Sequence, residues 1–104
     1  MIKITLFYNF KANKNLVAFK ISGHAPDYIC AGVSTLVINI INCIEKFTND
    51  KFSYEYNQNG GMAYFKFFNQ DQVSHDADLL IKTLGFGLKD IAKSYKSFIK
   101  KESH

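Results

Sequence analysis

Residues 22–34 read Ser-Gly-His-Ala-Pro-Asp-Tyr-Ile-Cys-Ala-Gly-Val-Ser, and the fold turns on where this stretch stops being strand and becomes helix. Upstream, Leu16 to Ile21 reads as a strand that ends at Ser22-Gly23. Before that, Ile2 to Phe10 places Ile2, Ile4, Leu6 and Tyr8 on one side and Lys3, Thr5 and Phe7 on the other, the period-two pattern of a strand. The polar segment Lys11 to Asn15 turns the chain between them, which predicts a hairpin. Downstream of Pro26, the apolar residues Ile29, Val33, Leu36, Val37, Ile40, Ile41 and Ile44 recur at spacings of three and four. That periodicity predicts a helix from about Tyr28 to Phe47 with a wide buried stripe, despite its β-branched residues. Asp27 is placed to cap it, and Asn49-Asp50 to close it.

The rest of the chain repeats the scheme. Phe52, Tyr54 and Tyr56 alternate with Ser53 and Glu55 as a third strand, and Met62 to Phe68 is a fourth. Asn59-Gly60-Gly61 between them is a turn signal, so the pair reads as an antiparallel hairpin. Asp71 to Asp78 suits a helix start. From Ala77 through Leu80, Ile81, Leu84, Leu88, Ile91, Ala92, Tyr95 and Phe98 to Ile99 one long amphipathic helix is expected, with Lys89, Lys93, Lys96 and Lys100 on its exposed side. Gly85 and Gly87 interrupt it, either for close packing or for a bend. The predicted class is α+β: a four-stranded, mostly antiparallel sheet with two helices in the order β-β-α-β-β-α, helices covering at least one face.

With 104 residues, the chain has room for one hydrophobic core, and 1–104 is read as a single domain. Hydrophobic residues make up 47% of it, with ten Phe and six Tyr, enough that neither disorder nor a need for staples is expected. No apolar run reaches the roughly 18 residues of a membrane helix, and the start reads as a strand rather than a secretory leader. No membrane association is expected. Cys30 and Cys43 sit thirteen positions apart on one predicted helix, about 20 Å along its axis, too far to pair. Two free thiols suit a reducing, cytoplasmic setting. The net charge of +4 comes from thirteen lysines and no arginine. It favours anionic partners in general, but without arginine's bidentate fork sequence-specific nucleic-acid reading is not expected.

Chemistry is concentrated in the opening stretch. With Asp27 as N-cap, Cys30 falls at the third helical position, where unpaired amides and the helix dipole favour a thiolate. His24, six residues upstream at the strand-to-helix junction, can fold back to take the thiol proton and later deliver it to a leaving amine. Backbone amides around Tyr28 to Ala31 are candidates to face an oxyanion. The competing reading is an inert, half-buried cysteine with a histidine nearby by chance. Asp27 is read first as a cap and second as a catalytic support. Ser34, one turn beyond Cys30, either donates to the sulfur or bonds back to the Cys30 carbonyl. Cys43 is read as packing. His75 with Asp71, Asp76 and Asp78 matches no strong metal motif and is read as a solvated helix start. The aromatic strands are read as an alternating core face rather than a base-stacking platform.

Gly23-His24-Ala25 followed by Asp27-Tyr28-Ile29-Cys30-Ala31-Gly32-Val33-Ser34 resembles the ribosomal-processing cysteine protease family, called Prp or YsxB-like, and the resemblance runs over nearly the whole chain. It implies His24 and Cys30 as a catalytic dyad and no cofactor. It also implies removal of the N-terminal extension of a large-subunit bacterial ribosomal protein precursor, and a homodimer. The family's loop between histidine and cysteine is longer and contains glycine. Here only Ala25 to Ile29 intervene, which implies a shortened lid or residues absent from the sequence. The rival class is a non-catalytic, ribosome-associated binding module.

Overall fold

A computed structural model of the chain describes residues 1–57 and 61–104. Its elements are β1 (Ile2–Tyr8), β2 (Leu16–Gly23), α1 (Asp27–Phe47), β3 (Phe52–Asn57), β4 (Met62–Phe67), α2 (His75–Ser94) and β5 (Ile99–Ser103). They form one mixed sheet in the order β3-β4-β2-β1-β5. Five strands replace the four that the sequence pattern predicts. The fifth occupies the end of the expected long helix: α2 stops at Ser94, with Tyr95 as its C-cap donating to the Ile91 carbonyl. A turn then follows, in which the amides of Phe98 and Ile99 both donate to the Tyr95 carbonyl at 2.8 and 3.0 Å. β5 pairs parallel with β1, Ile2 opposite Ile99 and Leu6 opposite Ser103. The physical reason lies in β1, whose outer edge would otherwise carry a row of unpaired amides and carbonyls.

The first hairpin forms as expected, although β1 ends at Tyr8 rather than Phe10. Asn9 starts the turn there, its carbonyl accepting from the amides of Asn13 and Lys14. β3 and β4 pair antiparallel from Phe52 opposite Phe67 to Asn57 opposite Met62. Of the predicted turn Asn59-Gly60-Gly61, Asn59 and Gly60 lie outside the described residues.

Both helices lie on one face of the sheet, and the topology requires it. β2-α1-β3 and β4-α2-β5 are each crossovers between parallel strands, running in opposite directions across the sheet from antiparallel strands. With both right-handed, they fall on the same side. There α1 and α2 pack through small residues: a side-chain carbon on Gly32 would meet Ile91 at 3.2 Å, and one on Gly87 would meet Leu36 at 3.6 Å. Gly85 comes as close to Leu16 of β2, at 3.0 Å. Of the α2 glycines, Gly85 therefore marks a close approach to β2, whereas a side-chain carbon on Gly87 would make an ordinary contact.

Under the helices the ladder sets side chains in rows. Leu6, Phe19, Phe65 and Tyr54 form one row and Ile4, Ile21, Ala63 and Tyr56 the next. Each row is buried at β1, β2 and β4 and opens toward solvent at β3. The Phe19 and Phe65 rings stack at 5.3 Å. From above, α1 contributes Ile29, Val33, Val37, Ile40, Ile41 and Ile44. At 21 residues and with a window of mean hydropathy 1.5, α1 is long and apolar enough by composition to cross a membrane. The earlier count of apolar runs does not show this, because scattered polar residues interrupt them. In this fold the apolar stripe is part of the core.

Candidate active site

The junction between β2 and α1 is three residues long: His24, Ala25 and Pro26. Gly23, the last residue of β2, has φ +94 and pairs with Ile2. A side-chain carbon there would lie 2.1 Å from the Met1 carbonyl oxygen. Only glycine fits, and the left-handed step turns the chain off the sheet. His24 follows as an exposed side chain.

Helix α1 begins one residue earlier than predicted. Pro26 is the N-cap, with φ −50 and ψ 148 and no side-chain capping bond, and Asp27 is the first helical residue. The carboxylate therefore stands in the first turn rather than at the cap, where it still complements the helix dipole. Cys30 becomes the fourth helical residue. Its amide donates to the Pro26 carbonyl at 3.2 Å, as does that of Ile29 at 2.9 Å. Those two amides are thus engaged, and the first-turn donors without an intrahelical acceptor are Asp27 and Tyr28.

The Cys30 sulfur is half-buried, packs against the core and donates to the Ala25 carbonyl at 3.3 Å. It lies on the wall of a pocket of about 380 Å³ that also holds His24, Asp27 and Ser34. Along α1 the wall is Asp27, Cys30, Ser34 and Ile38, spaced three and four apart on one helical face. Tyr54 and Tyr56 of the edge strand stand across from it, and Met62, Ala63 and Ile21 contribute from the sheet. The two tyrosine rings are 6.4 Å apart. Burial pushes the Tyr54 hydroxyl above its ordinary range, helped by repulsion from Tyr56.

The four site residues singled out from sequence thus share one groove. Among the described residues Ser34 shows no hydrogen bond to the Cys30 sulfur or carbonyl, while its neighbour Thr35 donates through Oγ1 to the Ala31 carbonyl at 2.8 Å. Cys43 is half-buried further along α1. His75 faces Asp76 at 3.3 Å while Asp78 pairs with Lys82 at 2.8 Å, and among the described residues no group of three could hold a metal. Tyr54, Tyr56 and Gly61 also line the groove, and the sequence pattern alone does not mark them as site residues. Their period-two alternation marks a strand face, but nothing in it shows that this face becomes a groove wall at the sheet edge.

Comparison with known proteins places this geometry. The family model for cysteine protease Prp matches residues 1–100. The ribosomal processing cysteine protease Prp of Bacillus subtilis (strain 168) is 27% identical over 92 residues, covering 81% of this chain and 82% of that protein. Its counterpart in Staphylococcus aureus (strain Mu50) is 30% identical over 78 residues, covering 75% and 70%. The crystal structure of the S. aureus ribosomal processing protease Prp with a covalently linked product peptide superposes with a TM-score of 0.88 at 24% identity, over the full length of both chains.

Proposed function

The chain belongs to the cysteine protease Prp family, and from that premise we propose that Cys30 is its nucleophile and His24 its general base and acid. The observation that carries the assignment is that both line one groove between α1 and the sheet edge. In the first step an imidazole nitrogen of His24 takes the thiol proton that now points at the Ala25 carbonyl. The sulfur attacks the scissile carbonyl carbon, and the carbon–nitrogen bond breaks as the imidazolium protonates the leaving amine. Water, deprotonated by the same imidazole, then attacks the thioester and frees the carboxylate and the thiol. The first-turn amides of Asp27 and Tyr28, which have no intrahelical acceptor, are candidate backbone donors for the oxyanion. Asp27 and Ser34 support the pair from the same helix face.

The groove suits an extended peptide with apolar side chains, because Ile38, Tyr54, Tyr56 and Met62 line it. By likeness to its named relatives, the substrate is the N-terminal extension of a large-subunit ribosomal protein precursor. The reaction would take place in the cytoplasm, where precursor and ribosome meet. The test is incubation with the matching precursor and mass analysis of its N-terminus. The native chain should remove the extension. Cys30→Ala should leave it intact, and His24→Ala should slow removal by about 100-fold or more, both with unchanged thermal midpoints. Persistence of the extension with the native protein, or cleavage by Cys30→Ala, would refute the assignment.

A further inference from the structure

The third row of the sheet floor differs from the two beside it. Where those carry Phe65 and Ala63 on β4, the next inward-facing position is Gly61, opposite Gly23 when the β2–β4 register is carried one step past Ser22–Met62. Both glycines line the pocket, and the His24 ring lies over Gly61. A side-chain carbon on Gly61 would stand 2.6 Å from His24 Cε1, 2.9 Å from Nε2 and 2.8 Å from the Gly23 carbonyl oxygen. No nonbonded carbon sits that close. Among the described residues no hydrogen bond to the His24 ring is present, and the ring is exposed. The ring's contact is with the bare backbone beneath it.

We infer that Gly61 is a positioning residue for the imidazole: its missing side chain makes the seat in which the His24 ring faces the Cys30 groove. This rests on the reading of His24 as the base. A methyl group at this position must displace the ring or lift the hairpin, because the Gly23 carbonyl blocks the third way out. A simpler explanation competes. Gly61 has φ +59, and a left-handed turn residue is often glycine for its own sake. The two accounts diverge for asparagine, which accepts that φ readily yet carries the same side-chain carbon.

The experiment measures alkylation of Cys30 by iodoacetamide across pH 5 to 9, by intact mass, in a Cys43→Ala background so that one thiol reports. The native sequence, Gly61→Ala, Gly61→Asn, His24→Ala and the double variant His24→Ala/Gly61→Ala are compared, each with a thermal unfolding curve. Both Gly61 variants should react about tenfold more slowly at neutral pH, with profiles moved toward that of His24→Ala. In the His24→Ala background the Gly61 change should have no further effect. A Gly61→Asn profile like the native one would assign the glycine to the turn alone and overturn the inference. So would equal slowing by Gly61→Ala with and without His24, or failure of both Gly61 variants to fold. If His24→Ala itself reacts like the native chain, the dyad reading fails and this one with it. A native-like Gly61→Asn beside a slowed His24→Ala removes only the role of Gly61.

Discussion

Gly23 and Gly61 flank the imidazole for different reasons. At Gly23 the obstacle is main chain: the Met1 carbonyl stands 2.1 Å from where a side chain would begin, and φ is +94. That carbonyl shares its peptide unit with the Ile2 amide, which is held by the Phe98 carbonyl at 2.8 Å, so it has little freedom to yield. Gly23→Ala should therefore cost about 2–4 kcal/mol, read as a lower urea midpoint with an unchanged slope, and it should depress cleavage by misplacing His24. His24 and Cys30 are legible as candidates because both lie within seven consecutive residues at a strand-to-helix change. Local spacing suffices there. The constraints at the two glycines are not, because the atoms that a side chain would meet come from Met1 in one case and from a ring 37 positions upstream in the other. Aspartate commonly caps, which makes Asp27 the expected cap. Pro26 takes the place instead, its extended ψ serving the cap geometry while its carbonyl receives two helix amides.

At the scale of elements, the paired strands and α1 were legible from periodicity, and β5 was not. Tyr95, Phe98 and Ile99 continue the helical spacing of α2, so a period-based reading runs on to residue 99. What overrides it is the open edge of β1, a demand set some 90 residues earlier. Side chains then secure the docked strand. Glu102 reaches Lys3 of β1 at 3.4 Å, Lys100 at 3.7 Å and His104 at 3.6 Å. Chiefly through the Lys3 ammonium, its carboxyl is held below its ordinary value of 4.5. Such a group contributes stability above the unfolded carboxylate pKa and loses it as pH falls through the folded one. Glu102→Gln should therefore be less stable than the native chain at neutral pH. The difference should shrink through the acid range below pH 4.5 and shrink also with added salt. A gap that stays constant with pH in denaturant titrations would contradict this.

On the scale of the whole molecule, the groove is bounded by elements that also build the core. α1 supplies both Cys30 and the buried stripe, and the rows ending in Tyr54 and Tyr56 begin at Leu6 and Ile4 respectively. Occupying the groove should therefore stabilise the entire fold rather than a local flap. With Cys30→Ala, which cannot turn the peptide over, a substrate peptide at about 100 times its Kd should add about 2.7 kcal/mol. In a domain of this size that raises Tm by several degrees. A shift confined to local probes, with the global transition unmoved, would separate groove from core.

The parallel pairing of β1 with the edge strand β5 also orders events in time. The Ile2 amide is held by the Phe98 carbonyl at 2.8 Å, Ile2 pairs with Gly23, and Gly23 launches His24. A chain growing from its first residue carries sulfur and imidazole by residue 30, yet the clamp on their anchor arrives only near residue 98. With Cys30 and His24 as the proposed pair, both groups are made early and their anchor is clamped late, so a half-grown chain should be a poor protease even though it already contains both.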